Sequence, residues 1–187
     1  MNHFNEDLAA SHKASDLPFW EECYRKAFPD FKAMVDHREN GDHQGAGIDR
    51  SIVLWTSKRI LIDEKVRWRN EETGIVYEDI ALERWSNWER KIPGWVVKPL
   101  RCDFIAYAIA PIGMCYMLPV LQLQVAWKCH ESEWTKRKEI DAENPPTATR
   151  AGYTTISYPV GVKELFSAMG KALWVEFDPF EKVEVAE

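Results

Sequence analysis

The sequence predicts a mixed α/β or α+β fold around one central sheet, and three observations support this prediction. An amphipathic helical stripe comes first, two apolar strands follow as a hairpin, and further strands alternate with helices towards the end of the chain. The length of 187 residues suits one buried core, which commonly contains about 100 to 200 residues. We therefore predict a single domain over 1–187, with its core at about 17–140, a strand and a helix within 141–173, and an acidic tail at 174–187.

The first predicted element is a helix at about 17–28. Apolar residues recur at helical intervals from Leu17 to Phe28, and Pro29 ends the pattern. Glu21 falls on this apolar stripe. Because a carboxylate that faces a core needs a partner or a functional role, Glu21 is a candidate site residue.

The rest of the chain is assigned from alternation, turn residues and apolar runs. After a short strand at 31–35 and a polar loop at 38–47, two strands at 48–56 and 59–68 form a hairpin that turns at Ser57-Lys58. The remaining predicted elements are a third strand at 75–82, a short helix plus loop at 85–99, strands at 104–110 and 114–118, a helix at 119–140, a strand at 153–158 and a helix at 162–173. For the residues after 173, the sequence leaves two alternatives, a disordered tail or a late edge strand.

Charge and composition limit the functional classes. A formal net charge of −6 is unlike that of a protein that coats nucleic acid nonspecifically, yet five Lys or Arg stand against two acidic residues between Lys58 and Arg69. The four cysteines are far apart and lack a Cys-x-x-Cys pair, so we expect reduced thiols. The sequence has no apolar run of about 18 residues, as a membrane-spanning helix needs, and no apolar centre of a signal peptide. We therefore expect a soluble cytoplasmic protein with no membrane partner.

The hairpin carries the residues with the clearest chemical meaning. In its second strand, alternation puts Asp63, Lys65 and Arg67 on one face and Glu64 on the other, among apolar residues. Asp49 opens the first strand, and a small shift of register brings it beside Asp63. Two adjacent carboxylates repel each other unless a cation lies between them, and Mg²⁺ prefers such oxygen ligands. The sequence therefore predicts a magnesium site with a neighbouring ammonium.

These residues, together with the helix that carries Glu21, resemble the PD-(D/E)XK nuclease superfamily, and within it the Holliday-junction-resolvase-like and the phage or prophage nuclease branches. The resemblance covers mainly 17–110 and is carried by Asp49 at a strand start and by Asp63-Glu64-Lys65 on the next strand. It departs from the family pattern before Asp49, where Gly47-Ile48 stands instead of Pro.

The resemblance implies a restriction-endonuclease-like core, in which helices flank a central mixed sheet, and a metal-dependent nuclease or endonuclease that hydrolyses DNA. By position it implies catalytic roles for Asp49, Asp63 and Lys65, with Mg²⁺ or Mn²⁺ as cofactor. It further implies that Glu21, Asp49, Asp63 and the backbone carbonyl of Glu64 are the metal ligands. Many family members act as dimers, so the resemblance admits a homodimer.

Four basic residues near the predicted site are candidates for binding the phosphates of nucleic acid: Lys58, Arg59, Arg67 and Arg69. Ordinary surface charge on a hairpin explains them equally well.

Three other interpretations remain open. The chain is a catalytically inactive nuclease-like module that binds nucleic acid or a protein partner, or a zinc-stabilised interaction protein, or a phage or host protein with a purely structural function. The zinc alternative uses Cys102, Cys115, Cys129 and His130, whose spacing matches no standard zinc knuckle.

Overall fold

The computed structural model describes residues 13–70, 73–138, 147–150, 153–170 and 173–182. Its elements, in chain order, are α1 (Phe19–Ala27), β1 (Phe31–Asp36), α2 (Gly41–Gly45), β2 (Arg50–Leu54), β3 (Arg59–Arg67), β4 (Asp79–Asn87), β5 (Ile92–Pro93), β6 (Phe104–Ile109), β7 (Met114–Pro119), α3 (Val120–Lys138), β8 (Thr147–Arg150), β9 (Tyr153–Gly161), α4 (Val162–Met169) and β10 (Leu173–Glu176).

The described residues fall into two compact units. The larger unit comprises the described parts of Asn5–Tyr77, Arg101–Val120 and Ala172–Glu187, and the smaller unit those of Glu78–Leu100 and Leu121–Lys171. Each unit contains a sheet with helical segments, which confirms a mixed α/β or α+β class. The single domain and the restriction-endonuclease-like core stay predictions.

The sheet of the larger unit is mixed. Its strand order is β1-β2-β3-β6-β7-β10, with β3 and β6 parallel and the other neighbouring strands antiparallel. Helix α1 contributes to the core because its buried residues recur at helical intervals, as at Trp20, Tyr24 and Ala27. They belong to one apolar cluster with Ile52 of β2 and Ile62 of β3. The predicted helix at 17–28 and strand at 31–35 are confirmed, apart from their ends.

The predicted hairpin is also confirmed. Strands β2 and β3 pair antiparallel from Val53 opposite Arg59 to Arg50 opposite Ile62, and Ser57 adopts a φ of 63° in the turn. Along its other edge, β3 pairs in parallel with β6 as far as Arg67. The two paired stretches of β3 overlap at Ile62, directly before Asp63.

The smaller unit contains the main errors of the sequence prediction. The third strand, expected at 75–82, is β4 at Asp79–Asn87, and it belongs to a separate sheet of order β5-β4-β9-β8. The short helix expected at 85–99 is wrong, because β4 pairs with β9 as far as Trp85 and, at Trp85 and Asn87, with β5 at Ile92–Pro93. The helix expected at 119–140 is α3, whose described residues end at Lys138.

The carboxyl-terminal part of the chain confirms one of the two predicted alternatives. The helix expected at 162–173 ends at Met169, and β10 follows as an edge strand paired with β7. Beyond it, the N–H of Phe177 donates to the carbonyl of Gly113 and the N–H of Phe180 donates to that of Ala110. The described part of the acidic tail is thus attached to the larger unit, while 183–187 lie outside the described residues.

Candidate active site

The structure brings Asp49, Asp63 and Lys65 together. Asp49 directly precedes β2, and its N–H donates to the carbonyl of Ile62 at 2.9 Å. Because Arg50 and Ile62 are the last pair between β2 and β3, Asp49 and Asp63 each follow this pair by one position, where the two strands leave the ladder. The Lys65 ammonium is 2.5 Å from Oδ1 of Asp63. Two carboxylates and one ammonium therefore share one face of the sheet, as alternation predicts.

The Asp49 carboxylate is in an electrostatically unfavourable position. Burial and, after it, the negative charge of Asp63 raise its pKa to about 6. Lys65 and the N–H of Glu64, which donates to Oδ2 at 2.8 Å, act in the opposite direction. A cation between the two carboxylates would relieve this repulsion, so the pair has the electrostatics of a metal-binding site.

The Glu64 side chain is a feature that the sequence analysis missed. It is 1% exposed on the opposite face of β3, where its Oε1 lies 2.7 Å from Nε of Arg50 and accepts a hydrogen bond from the Tyr24 hydroxyl at 2.6 Å. Burial raises the pKa of Glu64 to about 7, although Arg50 and Tyr24 oppose the shift. The sequence alternation contained a sign of this buried ion pair, because it puts Arg50 and Glu64, which carry opposite charges, on the apolar faces of adjacent strands.

Glu21 does not face the core as its place on the apolar stripe predicted. Its side chain is 42% exposed and pairs with Arg25 at 2.5 Å, one turn further along α1. It is rotated about 100° from the buried Trp20, which places it at the border of the apolar stripe. A cationic neighbour within reach at the surface keeps the carboxylate there. The structure therefore does not bring Glu21 to Asp49 and Asp63.

The donors that remain fit magnesium or manganese and do not fit zinc. Among the described residues, no group of three or more His, Cys, Asp or Glu side chains is placed to hold a metal ion. The site offers two carboxylates and the carbonyl of Glu64, and Mg²⁺ commonly uses one or two carboxylates while it keeps several waters. Burial and the charge of Asp63 raise the pKa of the Cys102 thiol to about 12, so without a metal it stays protonated.

The predicted phosphate-binding residues occupy different positions around the site. Alternation places Arg59 and Arg67 on the Asp63 face of β3, about 13 Å along the strand on either side of Asp63. The Arg67 guanidinium lies 5.6 Å from the centre of the Tyr77 ring. Lys58 is exposed in the hairpin turn, whereas Arg69 is bound to Glu181 of the tail.

A pair of histidines lies beside Asp49. The N–H of His37 donates to the backbone carbonyl of Asp49 at 2.8 Å, and its Nε2 is 2.9 Å from Oγ of Ser51. The ring of His43 stacks on His37 with 4.3 Å between the ring centres. Burial and then the proximity of His43 lower the pKa of His37. The stacked rings add polar groups to the same end of the sheet.

Comparisons with known proteins found no matching family model, no matching curated protein and no matching solved structure. Within the described ranges, no helix combines the length and the apolar character that crossing a membrane requires.

Proposed function

We propose that this protein is a divalent-metal-dependent nuclease that hydrolyses phosphodiester bonds, with DNA as its substrate. One observation carries the proposal: the Asp49 and Asp63 carboxylates are adjacent, and the Lys65 ammonium lies 2.5 Å from Asp63. An ordinary structural ion pair needs one carboxylate for one ammonium. The second carboxylate, whose pKa of about 6 reflects burial and the charge of the first, suggests a place for a cation.

Asp49, Asp63 and the carbonyl of Glu64 would hold Mg²⁺ or Mn²⁺. Bound there, the ion supplies an acidified water and neutralises charge on phosphate oxygens. In hydrolysis the water oxygen bonds to phosphorus, the bond to the leaving sugar oxygen breaks, and the water's proton passes to solvent while the leaving oxygen takes one up. Lys65 donates hydrogen bonds to a phosphate oxygen and so stabilises the charge that builds on it.

The basic residues support a polyanionic substrate. Arg59 and Arg67 share the face of β3 that carries Asp63, so a phosphate backbone along the strand meets a cation on each side of the site. Their contribution depends on salt, because each neutralised phosphate releases counterions. The local positive charge reconciles a nucleic-acid substrate with the net charge of −6.

Metal-dependent cleavage tests the proposal. Purified protein is incubated with supercoiled plasmid, branched DNA and single-stranded DNA in Mg²⁺, Mn²⁺ or EDTA. We expect cleavage with either metal and none with EDTA, and a loss of at least about 100-fold for Asp63→Asn and Lys65→Ala. Matched controls are Glu22→Gln and Lys32→Ala, which change exposed charges elsewhere in the larger unit.

If the wild-type protein leaves every substrate intact with both metals, the hydrolytic proposal is wrong. Salt-dependent DNA binding without cleavage would then favour the inactive nuclease-like module.

A further inference from the structure

The antiparallel ladder between β2 and β3 ends just before the candidate site. Its last pair is Arg50 and Ile62, and the N–H of Asp49 adds one more bond to the carbonyl of Ile62. At the next step, the N–H of Glu64 donates to the side-chain Oδ2 of Asp49 at 2.8 Å. The Asp49 carboxylate thus takes the place of a ladder carbonyl, and its position depends on how far β2 and β3 stand apart there.

Directly behind this point, on the buried face, Arg50 and Glu64 connect the same two strands. Their side chains are 6% and 1% exposed, and the Nε to Oε1 distance is 2.7 Å. The hydroxyl of Tyr24 in α1 donates to the same Oε1 at 2.6 Å. A helix and two strands are therefore joined through one carboxylate oxygen, immediately behind Asp49.

Stability alone does not explain this network. Buried ion pairs are often replaced by apolar residues with no loss of stability, because desolvation offsets the attraction between the charges. Here Oε2 of Glu64 is buried and has no hydrogen-bond partner among the described residues, which makes the arrangement less favourable still. An apolar pair would fill the same space, but it would not fix the direction in which the backbone N–H and carbonyl of Glu64 point.

That direction matters on the opposite face. The N–H of Glu64 holds Asp49, while its carbonyl oxygen is 3.4 Å from the Lys65 ammonium and is a candidate metal ligand. The backbone groups of one residue thus touch both sides of the candidate centre. Partners that orient metal ligands in this way commonly change metal affinity by about 10- to 100-fold when they are removed.

We propose that Arg50, Glu64 and Tyr24 form a positioning network that holds the Asp49 carboxylate and the Glu64 carbonyl in place for a divalent cation. The effect on the cation rests on the proposed function, whereas the effect on the Asp49 to Glu64 hydrogen bond does not. The network acts through the backbone of Glu64, and its side chains do not touch the ion.

The decisive variant is the apolar double replacement Arg50→Met with Glu64→Leu, because it removes the network without leaving a buried charge unpaired. Three measurements are made on the double variant: urea unfolding, hydrogen exchange of the backbone amide at position 64, and calorimetric titration with Mn²⁺. We expect cooperative unfolding at a similar urea concentration, amide exchange at least about tenfold faster, and Mn²⁺ affinity about 10- to 100-fold weaker.

Two single replacements complete the test. Tyr24→Phe deletes one hydroxyl and should weaken Mn²⁺ binding less than the double replacement does. If the double variant does not fold, Tyr24→Phe takes its place as the test of the network. Glu164→Gln is the matched control, because Glu164 accepts a 2.8 Å hydrogen bond from Trp134 in the smaller unit. It should leave both Mn²⁺ affinity and the Glu64 amide unchanged.

Unchanged amide exchange and Mn²⁺ affinity in a folded network variant would overturn the positioning role. If the wild-type protein binds no Mn²⁺, the proposed function fails, and amide exchange alone decides the positioning role. Faster exchange in the variant then supports it, and equal exchange refutes it.

Discussion

Asp49 and Asp63 are neighbours just beyond the last pair of the β2–β3 hairpin, and burial together with the charge of Asp63 raises the pKa of Asp49 to about 6. A proton and a divalent cation therefore compete for the same carboxylate. We expect Mn²⁺ affinity to rise about tenfold per pH unit up to pH 6 and to level off above it. Calorimetric titrations between pH 5 and 8 measure this, and an affinity independent of pH would contradict it.

The same shift predicts how metal-free protein responds to pH. The folded pKa of about 6 lies above the ordinary value of 3.8, so this group favours folding below pH 3.8, and the benefit is lost as pH rises to 6. Relative to Asp49→Asn, the wild-type free energy of unfolding should fall by up to about 3 kcal/mol over that range. Urea unfolding in EDTA of both proteins measures the difference, which cancels the titration of groups that do not interact with Asp49. Parallel pH profiles would refute this prediction.

The family resemblance and the observed geometry disagree about the role of Glu21. The resemblance implies that it binds metal, whereas the structure pairs it with Arg25 on the surface of α1. We expect Glu21→Gln to leave Mn²⁺ affinity within about twofold of wild type and to lower stability by no more than about 0.5 kcal/mol. Asp63→Asn, measured alongside, should abolish binding. A similar loss in both variants would mean that Glu21 reaches the metal after all.

The success and failure of the sequence analysis follow from the range of the interactions. Alternation and a turn at Ser57-Lys58 are local, and they correctly predicted the hairpin that brings Asp49 to Asp63. The core-facing position predicted for Glu21 is wrong because a residue at the border of a helical stripe can face either the core or the solvent. In the structure, Glu21 faces the solvent, where it pairs with Arg25.

Longer-range partners were inaccessible to local patterns. Most of β4 pairs with β9, about 70 residues later in the chain, and only its end pairs locally, with the two-residue strand β5, so the segment at 85–99 gave little local sign of its sheet. The Glu64 side chain likewise depends on Tyr24, which comes from a different element. The alternation correctly placed Glu64 on the apolar face. Its hydrogen bond to Tyr24 could not be predicted, because that bond depends on how α1 packs against the strands.

The tail contact predicts a modest restraint on DNA binding. Glu181 pairs with Arg69 at 2.5 Å, and both side chains are largely exposed. Because solvent screens an exposed ion pair, the contact is weak, and Glu181→Gln should raise DNA affinity by no more than about fivefold at low salt. Glu176→Gln removes the same charge from β10 and should have a smaller effect. Fluorescence anisotropy with labelled DNA at fixed salt compares them, and equal affinities would exclude a specific role for the Arg69 contact.

Gly113 offers a test of how the tail is attached. It adopts a φ of 64°, and a Cβ placed there would lie 2.1 Å from the carbonyl oxygen of Phe177. Gly113→Ala therefore combines an unfavourable backbone conformation with a clash against backbone, and it should lower the free energy of unfolding by about 3 kcal/mol or more.

Gly74→Ala is the matched control for the backbone contribution alone. Gly74 has a φ of 68°, but no atom of the described residues lies within 4 Å of a Cβ at that position. Its replacement should cost only about 1 to 2 kcal/mol. Urea unfolding gives both values, and the difference between them reports the close approach of the tail to Gly113. Equal losses in the two variants would mean that Phe177 moves away readily, and that the tail is held more weakly than its hydrogen bonds to Ala110 and Gly113 indicate.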